Sequence, residues 1–413
     1  MLTGMTRRMM ALNSPENAEL VARTVERFCA FRERSWMKPH VQMIVTDNGQ
    51  SVELAPQEGV TLVPNENLGG AGGFTRGLLE ARARGASHCL FMDDDASIHM
   101  ESLERTWMML AYARDPRTAV AGAMISEQHR WAIWENGARF FTRCQPLHMG
   151  TDLRNPFEAM EMDFESTPRM PADFYGGWWY FAFPLEAVRH MPFPFFVRGD
   201  DVSFSLVHDF NTVTLNGVVS FQDSFTDKES PLTWYLDLRS HMAHHLSLPM
   251  LEAGRWGAWR IAAWFFLRNL PRMHYETLAA INLALEDVME GPGFFDANAD
   301  MAARRADLKA MTVEEAWAPA DIWALPPVRE KPPLYPVRLA MKLCLNGHLV
   351  PFYSRLGKRI TLEAVNRGHI GMVWGAAEIT CLSADRTKSY TVRHSKRRAW
   401  SEAMRFLRAS RRF

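Results

Sequence analysis

Three consecutive carboxylates, Asp93, Asp94 and Asp95, end the apolar stretch "HCLFM". Like charges side by side repel and gain little from folding alone. On an extended backbone alternate side chains share a face, so Asp93 and Asp95 point one way and Asp94 the other. Two carboxylates on one side can hold a hard divalent cation such as Mg²⁺ or Mn²⁺, which takes water and phosphate oxygens as its remaining ligands. The same tripeptide also suits a solvated loop, or caps for a helix starting near Asp95 or Ser97. A second acid pair, Asp200 and Asp201 in "FFVRGDDVSFSLV", follows an apolar run. It reads as a helix cap or as part of a site. Upstream, Gly176 and Gly177 precede Trp178 and Trp179. That combination gives a close backbone and flat aromatic faces on which sugars stack, with core packing as the competing fate of the two rings.

Two further stretches favour a nucleotide. "VTDNGQ" places Asp47 after an apolar strand, at the edge where open α/β sheets bind ligands. An Asp there can accept from a ribose hydroxyl or a base N–H, or simply close an Asp-Asn-Gly turn. "NENLGGAGGFTRG" opens a helix with Gly69, Gly70, Gly72 and Gly73. Glycine lets a phosphate approach the backbone, and helix N-termini favour anions. The stretch lacks the ending of a P-loop and the last glycine of a dinucleotide fingerprint; a flexible surface loop is the alternative. His241 and His245 have metal-ligand spacing, but without H-E-x-x-H they read as an ordinary helix face.

The elements that must position these groups alternate. Ser14 and Pro15 read as the start of a helix through "NAELVARTVERFCAFRE". Strands follow at "HVQMIVTD", "GVTLVPN", "HCLFMD" and "TAVAGAMI", separated by helices at "GGFTRGLLEARARG" and "MESLERTWMMLAYARD". Such alternation implies a parallel sheet between helices. Short mixed strands and loops follow to about residue 225, then helices after Pro231, a Pro/Ala/Trp-rich linker over 317–336, and a basic helical end.

Formal net charge is zero over 413 residues, which gives no argument for nucleic acid. From Lys388 to Phe413 there are nine Lys/Arg against one acid, Glu402, so the remainder carries a net charge of −8. The basic end, with Trp400, Met404, Phe406 and Leu407, suits an anionic membrane surface, a solvated tail, or packing on the acidic body. Five scattered cysteines without C-x-x-C imply neither zinc nor disulfides and fit a reducing cytoplasm. No signal peptide or spanning segment is expected.

Taken in order, "TDNG", "NENLGGAGGFTRG", "MDDD", "GGWW", "GDD" and "TDKES" resemble the family-two nucleotide-sugar glycosyltransferases of A-type fold. Among these the set is most similar to the bacterial galactofuranosyltransferases that build galactan. The resemblance covers roughly residues 40–245 and implies an α/β, Rossmann-like mixed sheet between helices with a mostly helical C-terminal region. It implies that Asp47 binds the uracil of UDP and that Asn67, Gly69, Gly70, Gly72, Gly73 and Asp94 border the donor. Asp93 would contact the ribose side. Asp95, with Asp93, would ligate Mn²⁺ or Mg²⁺. Trp178, Trp179 and Asp227 would line the acceptor pocket, and Asp201, paired with Asp200, would be the general base. The chain departs from the pattern at Gln222, where those enzymes place a metal-binding histidine, and at Phe225, where they have tryptophan. The usual first strand is compressed into "MLTGMTRRMMALNS".

The resulting expectation is an inverting, metal-dependent glycosyltransferase. It would move galactofuranose from a UDP-sugar donor to a glycan or polyprenyl-linked acceptor, in the cytoplasm or at the cytoplasmic face of the inner membrane. A dTDP-rhamnose donor, a nicotinamide-dependent oxidoreductase and a sugar-binding scaffold without turnover are the alternatives. Nucleic acid is not an expected partner, and a homo-oligomer is left open. The expected divisions are a catalytic domain over 1–230, a helical extension over 231–316, and a linker with basic end over 317–413.

Overall fold

The computed structural model describes residues 8–14, 18–222 and 229–412. The chain divides into two compact units, Met1–Ser224 and Phe225–Phe413.

The first unit begins with β1 (Arg8–Ser14), α1 (Ala18–Arg34), β2 (Val41–Asp47), β3 (Val60–Pro64), α2 (Gly69–Ala83) and β4 (His88–Asp93). It continues through β5 (Ser97–Ile98), α3 (Glu101–Tyr112), β6 (Thr118–Ser126), β7 (Ile133–Glu135), β8 (Ala138–Phe140) and β9 (Cys144–Pro146). It closes with α4 (Pro156–Ser166), β10 (Phe174–Tyr175), β11 (Phe181–Pro184), α5 (Asp200–Val207) and β12 (Asn211–Gln222). The main sheet runs β3-β2-β1-β4-β11-β6-β12-β5, with β7 beside β6; β8, β9 and β10 form a small separate sheet. β1 to β4 are mutually parallel, and β12 is parallel to β6. β11 runs antiparallel to both β4 and β6. All the parallel strands therefore end on one edge, which carries Asp47, Asp93, Ser126 and Gln222.

The expected mixed α/β sheet is present, and its first strand lies within "MLTGMTRRMMALNS", as the resemblance implied. β1 is seven residues long and lies between β2 and β4 in continuous register. Its four-residue apolar stretch "MMAL", preceded by two arginines, is a weak strand signal; pairing on both sides supplies what local preference does not. Ser14 is the last residue of this strand, and Pro15 lies outside the described residues. Side chains alternate between the two sheet faces. Met43, Val45 and Met92 pack with Val21, Phe28 and Trp107 of α1 and α3. Ile44, Phe91, Phe181 and Phe183 pack with Phe74 and Leu78 of α2.

The second unit contains α6 (Pro231–Ser247), α7 (Gly254–Asn269), α8 (Tyr275–Val288), α9 (Pro292–Ala297), α10 (Ala302–Met311) and β13 (Ala318–Pro319). After these come α11 (Tyr335–Leu343), α12 (Tyr353–Leu356), β14 (Lys358–Leu362), β15 (Ala376–Leu382), β16 (Lys388–Arg393) and α13 (Lys396–Arg412). β13-β16-β15-β14 form a four-stranded sheet that the sequence reading did not separate from the helical end. The helical extension and the C-terminal segment, expected as two parts, pack as one unit. Arg272 is fully buried and donates to Glu229 Oε1 at 2.8 Å and to the Arg367 carbonyl at 3.0 Å. Flanking arginines hold the Glu229 carboxyl at about 2 against the opposing effect of burial. Glu315 accepts from the amides of Glu276 and Thr277 at the start of α8, and Glu276 accepts in return from the amides of Val313, Glu314 and Glu315. The basic end takes the packing alternative. Ala399, Phe406 and Ala409 of α13 are buried, Arg405 pairs with Glu286, and Arg398 pairs with Glu276 and Glu314. Among the described residues no helix is long and apolar enough to cross a membrane.

Candidate active site

The C-terminal edge of the sheet gathers the polar groups. Asp47, at the end of β2, is only 3% exposed. Its Oδ1 accepts from the Gly49 amide at 3.1 Å and its Oδ2 from the Val52 amide at 2.8 Å. The carboxylate thus shapes its own turn, the local role Asp favours in such positions. Asn48 ties that turn to its neighbours: Nδ2 donates to the Gly69 carbonyl at 2.9 Å, and Oδ1 accepts from Asn65 Nδ2 at 2.8 Å. The sequence reading passed over Asn48, because its partners lie 17 and 21 residues away. Asn67 Oδ1 accepts from the Gly69 amide at 3.3 Å.

The glycines are not a loop ahead of a helix; Gly69, Gly70, Gly72 and Gly73 form the first turns of α2 itself. Gly69 has φ +66°, and a Cβ there would lie 2.2 Å from the carbonyl oxygen of Phe196. That same oxygen accepts from the Ala71 amide at 3.1 Å, occupying one of the donors a helix start leaves free. Phe196, Arg198 and Gly199 all adopt left-handed backbone, with φ of +69°, +69° and +88°. Such conformations are costly for residues with side chains and persist only when surrounding contacts enforce them. The turn they make starts α5 at Asp200, so the second acid pair sits on that helix's first turn, where the helix dipole favours negative charge.

The two ends of the triple acid converge on one amide. Gln222 Nε2 donates to Asp95 Oδ1 at 2.9 Å and to Asp93 Oδ2 at 3.4 Å. β5 folds back antiparallel onto β12, pairing Ser97 with Phe221, and this holds the Asp94–Asp95 turn beside Gln222. Asp93 and Asp95 therefore share a side, as expected, although only Asp93 belongs to the strand and the turn does the rest. Burial first, then the carboxylates of Asp95, Asp94 and Asp200, push the Asp93 carboxyl well above its ordinary range. Gln222 is 2% exposed and its Oε1 has no partner. The two amide atoms are interchangeable in placement. Turning the amide over would present Oε1 toward the carboxylates and make a neutral third oxygen donor. Two acids and one amide suit a hard divalent ion that completes its shell with phosphate and water. Among the described residues no three His, Cys, Asp or Glu side chains form a self-sufficient metal cluster.

The other acids are also raised. Burial and the neighbouring Asp201 push the Asp200 carboxyl up, and burial pushes Asp201 up to about 6. Arg198 and the Val202 amide, which donates to Asp201 Oδ1 at 2.8 Å, oppose that rise. Asp201 is half-buried, whereas Asp200 is buried. Glu135, on β7, was not anticipated. It is 4% exposed, its Oε1 has no partner, and burial followed by the charge of Asp201 pushes its carboxyl up to about 8. The only local hint was an acid inside "WAIWENG", which looks like any edge-strand residue.

The tryptophans do not share a pocket. Trp178 is 4% exposed and packs edge-on against Phe74, Phe91 and Phe204 at 4.8, 4.9 and 5.7 Å. Trp179 turns to the other core, lies over Gly177 and donates from Nε1 to the Gly122 carbonyl at 3.0 Å. Both residues lie in the turn that precedes β11, and that turn sends their rings into different cores, which corrects the expectation of a paired platform. Asp227 lies outside the described residues. Nδ1 of His241 and of His245 meets the carbonyls of Asp237 and Leu251, each at 2.7 Å, in keeping with an ordinary helix face.

Two outcomes follow from this geometry. Gly69→Ala puts a methyl group against the Phe196 backbone in a left-handed conformation and costs about 2 kcal/mol or more in chemical denaturation; an unchanged midpoint would mean the two segments are not locked together. Glu135 gains a proton on folding, so its contribution to stability is full below its unfolded pKa and is lost as pH rises toward about 8. Glu135→Gln therefore loses less stability than the native chain between these limits, by on the order of 2 kcal/mol in denaturation series across pH.

Comparison with known proteins gives the following likenesses. Residues 9–188 match the model of glycosyl transferase family 2. The galactofuranosyltransferase GlfT2 of Mycobacterium tuberculosis is 27% identical over 327 residues, covering 73% of this chain and 49% of that protein. GlfT2 of Mycolicibacterium smegmatis is 29% identical over 251 residues, covering 55% of this chain and 37% of that protein. The chain thus spans half or less of the length of these relatives. Among solved structures, the mannosyltransferase PcManGT of Pyrobaculum calidifontis, in complex with GDP-Man and Mn²⁺, aligns at 15% identity with a TM-score of 0.38, over 75% of this chain and 84% of that one. The matched segment, residues 9–188, contains β1 to β4, the triple acid and the switch to antiparallel β11, and in that segment the chain is similar to glycosyl transferase family 2.

Proposed function

We propose that this protein is an inverting, divalent-metal-dependent glycosyltransferase that moves galactofuranose from UDP-galactofuranose to a glycan or polyprenyl-linked acceptor. The observation that carries the reading is the convergence of Asp93 and Asp95 on Gln222, with the Asp200–Asp201 pair close enough for Asp200 to raise the Asp93 carboxyl. One group of acids suits a cation and its phosphates; the other offers a base. The galactofuranosyltransferase relatives support the choice of sugar.

In this reading Asp201 accepts the proton of the acceptor hydroxyl as its oxygen attacks the anomeric carbon. The bond from that carbon to the donor's phosphate oxygen breaks, and UDP leaves with the electron pair. A single displacement inverts the anomeric centre, so an α-linked donor gives a β-linked product. Asp93 and Asp95, with the Gln222 amide, would hold Mn²⁺ or Mg²⁺, which neutralises charge on the departing diphosphate. The first turns of α2, with Gly70, Gly72 and Gly73, let the donor approach the backbone, and Asn67 and Asp94 border it. Asp47 shapes the turn at the nucleotide end and has lone pairs left for a base N–H. Asp227 and the exposed edge of Trp179 are assigned to the acceptor side.

The test is transfer from a panel of nucleotide sugars with and without Mn²⁺. UDP-galactofuranose is expected to support turnover, chelator to abolish it, and Asp201→Asn to lower kcat by about a hundredfold or more while donor binding is retained. Because the base must be ionised, activity falls as pH drops through the raised Asp201 pKa of about 6. Preferred turnover of dTDP-rhamnose would reassign the donor. Donor binding without turnover on any acceptor would point to a sugar-binding scaffold. Metal-independent transfer would remove the role given to Asp95.

A further inference from the structure

We propose that residues 331–359 form a docking face for an anionic lipid bilayer. From Lys331 to Leu362 the sequence contains no Asp or Glu, yet it carries Lys331, Arg338, Lys342, Arg355, Lys358 and Arg359. Within it, α11 has no buried residue. Tyr335, Leu339 and Leu343, one helical turn apart, form an apolar stripe that is 68%, 47% and 74% exposed. Beyond the helix, Leu349, Phe352 and Leu356 are 66%, 75% and 72% exposed. Lys342 stands beside the stripe and is itself exposed.

A nine-residue helix does not hold itself in water. This one is anchored at its C-terminal end. Asn346 is fully buried, and its Nδ2 donates to the carbonyls of Pro271 and Val373 at 2.8 and 3.2 Å while its Oδ1 accepts from the Gly375 amide at 2.8 Å. The segment is thus rooted in the unit and presents its large apolar side chains outward. A concentration of exposed apolar side chains marks an interaction site.

The charge decides what covers it. A second copy docking by two-fold symmetry would bring the same basic segment, whose Lys331, Lys342, Arg355 and Lys358 are all exposed, against itself, which like-charge repulsion opposes; among the described residues only Arg359, beside Glu378, has an acid at hand. A bilayer with anionic headgroups accepts both the apolar stripe and the basic flank, the combination found in interfacial helices. α13, the basic segment the sequence singled out, is the weaker candidate. Its Arg398 and Arg405 are neutralised within the unit, and Phe406 is buried. The inference is independent of the donor and acceptor assigned above.

The experiment is vesicle sedimentation of the full chain with phosphatidylcholine alone and with added phosphatidylglycerol. Binding is expected only to the anionic vesicles, weakening as salt rises. Leu339→Glu/Leu343→Glu, both at exposed positions, should lower the partition by about tenfold or more. Transfer to a water-soluble acceptor, if present, should stay unchanged. Lys342→Glu/Lys358→Glu should lower the partition through charge alone, and guards against an effect of the first variant on folding. Trp400→Ser/Leu407→Ser, on α13, should leave the partition unchanged. The proposal is overturned if anionic vesicles do not bind the native chain, if both 331–359 variants bind as it does, or if only the α13 variant releases it. Sedimentation equilibrium showing a native oligomer that Leu339→Glu/Leu343→Glu dissolves would assign the face to a second copy instead.

Discussion

The missing side chain of Gly69 is the constraint on which the site depends. With no Cβ, the first residue of α2 lies directly against the Phe196 carbonyl, and the same oxygen receives the Ala71 amide. The glycine-rich start of one helix is thereby fixed to the segment that launches another. Phe196 and Arg198 are held left-handed where isolated residues would relax. Their turn delivers Asp200 and Asp201 to the first turn of α5, with Asn48 bracing the other side of Gly69. Sheet, glycine-rich helix start and acid pair are thereby tied together, the fixed geometry that the proposed transfer would demand.

That rigidity concentrates negative charge. Asp93, Asp200, Asp201 and Glu135 all have raised carboxyl pKa values, each chiefly because burial disfavours the ionised form. A fold gains no stability from such a grouping; buried carboxylates want protons, cations or strong donors. The first turn of α5 and the Gln222 amide supply part of the compensation. What remains is an electrostatic demand for a cation, the property a site for a diphosphate-bearing donor needs. Histidine at position 222 would add a strong ligand for a transition metal. Glutamine instead bridges the two acids through hydrogen bonds and offers a weaker oxygen.

The second unit handles charge in the opposite way. Arg272 and Arg367 are buried around Glu229, and Tyr390 accepts from Arg367 Nε at 2.9 Å. Its Glu315 caps the start of α8 while Glu276 accepts from the amides of the 313–315 turn, and its C-terminal helix is ion-paired. Against that internally satisfied background α11 stands out, apolar, basic and uncovered. Charge that a unit neutralises is structural; charge and apolar surface left open together are available to something else.

Much of the first unit was legible in the sequence. β2, β4, β6, α2 and α3 follow from apolar runs and helical spacing, because those patterns are local. Asp93 and Asp95 do share a side, as a strand period of two suggests, but it is the turn after β4 that brings Asp95 there. Trp178 and Trp179 lie in a turn, so no local period showed that their rings enter different cores. What the sequence could not determine depends on distant partners. β1 is a strand because β2 and β4 flank it. Asn48 and Glu135 matter because of neighbours far along the chain. The basic end, which by sequence suited a membrane surface, a solvated tail or packing on the acidic body alike, packs inward because α8 and its acids meet it. Local pattern fixes which elements form and which side chains they offer; only packing decides which of those side chains are satisfied and which are left facing a ligand.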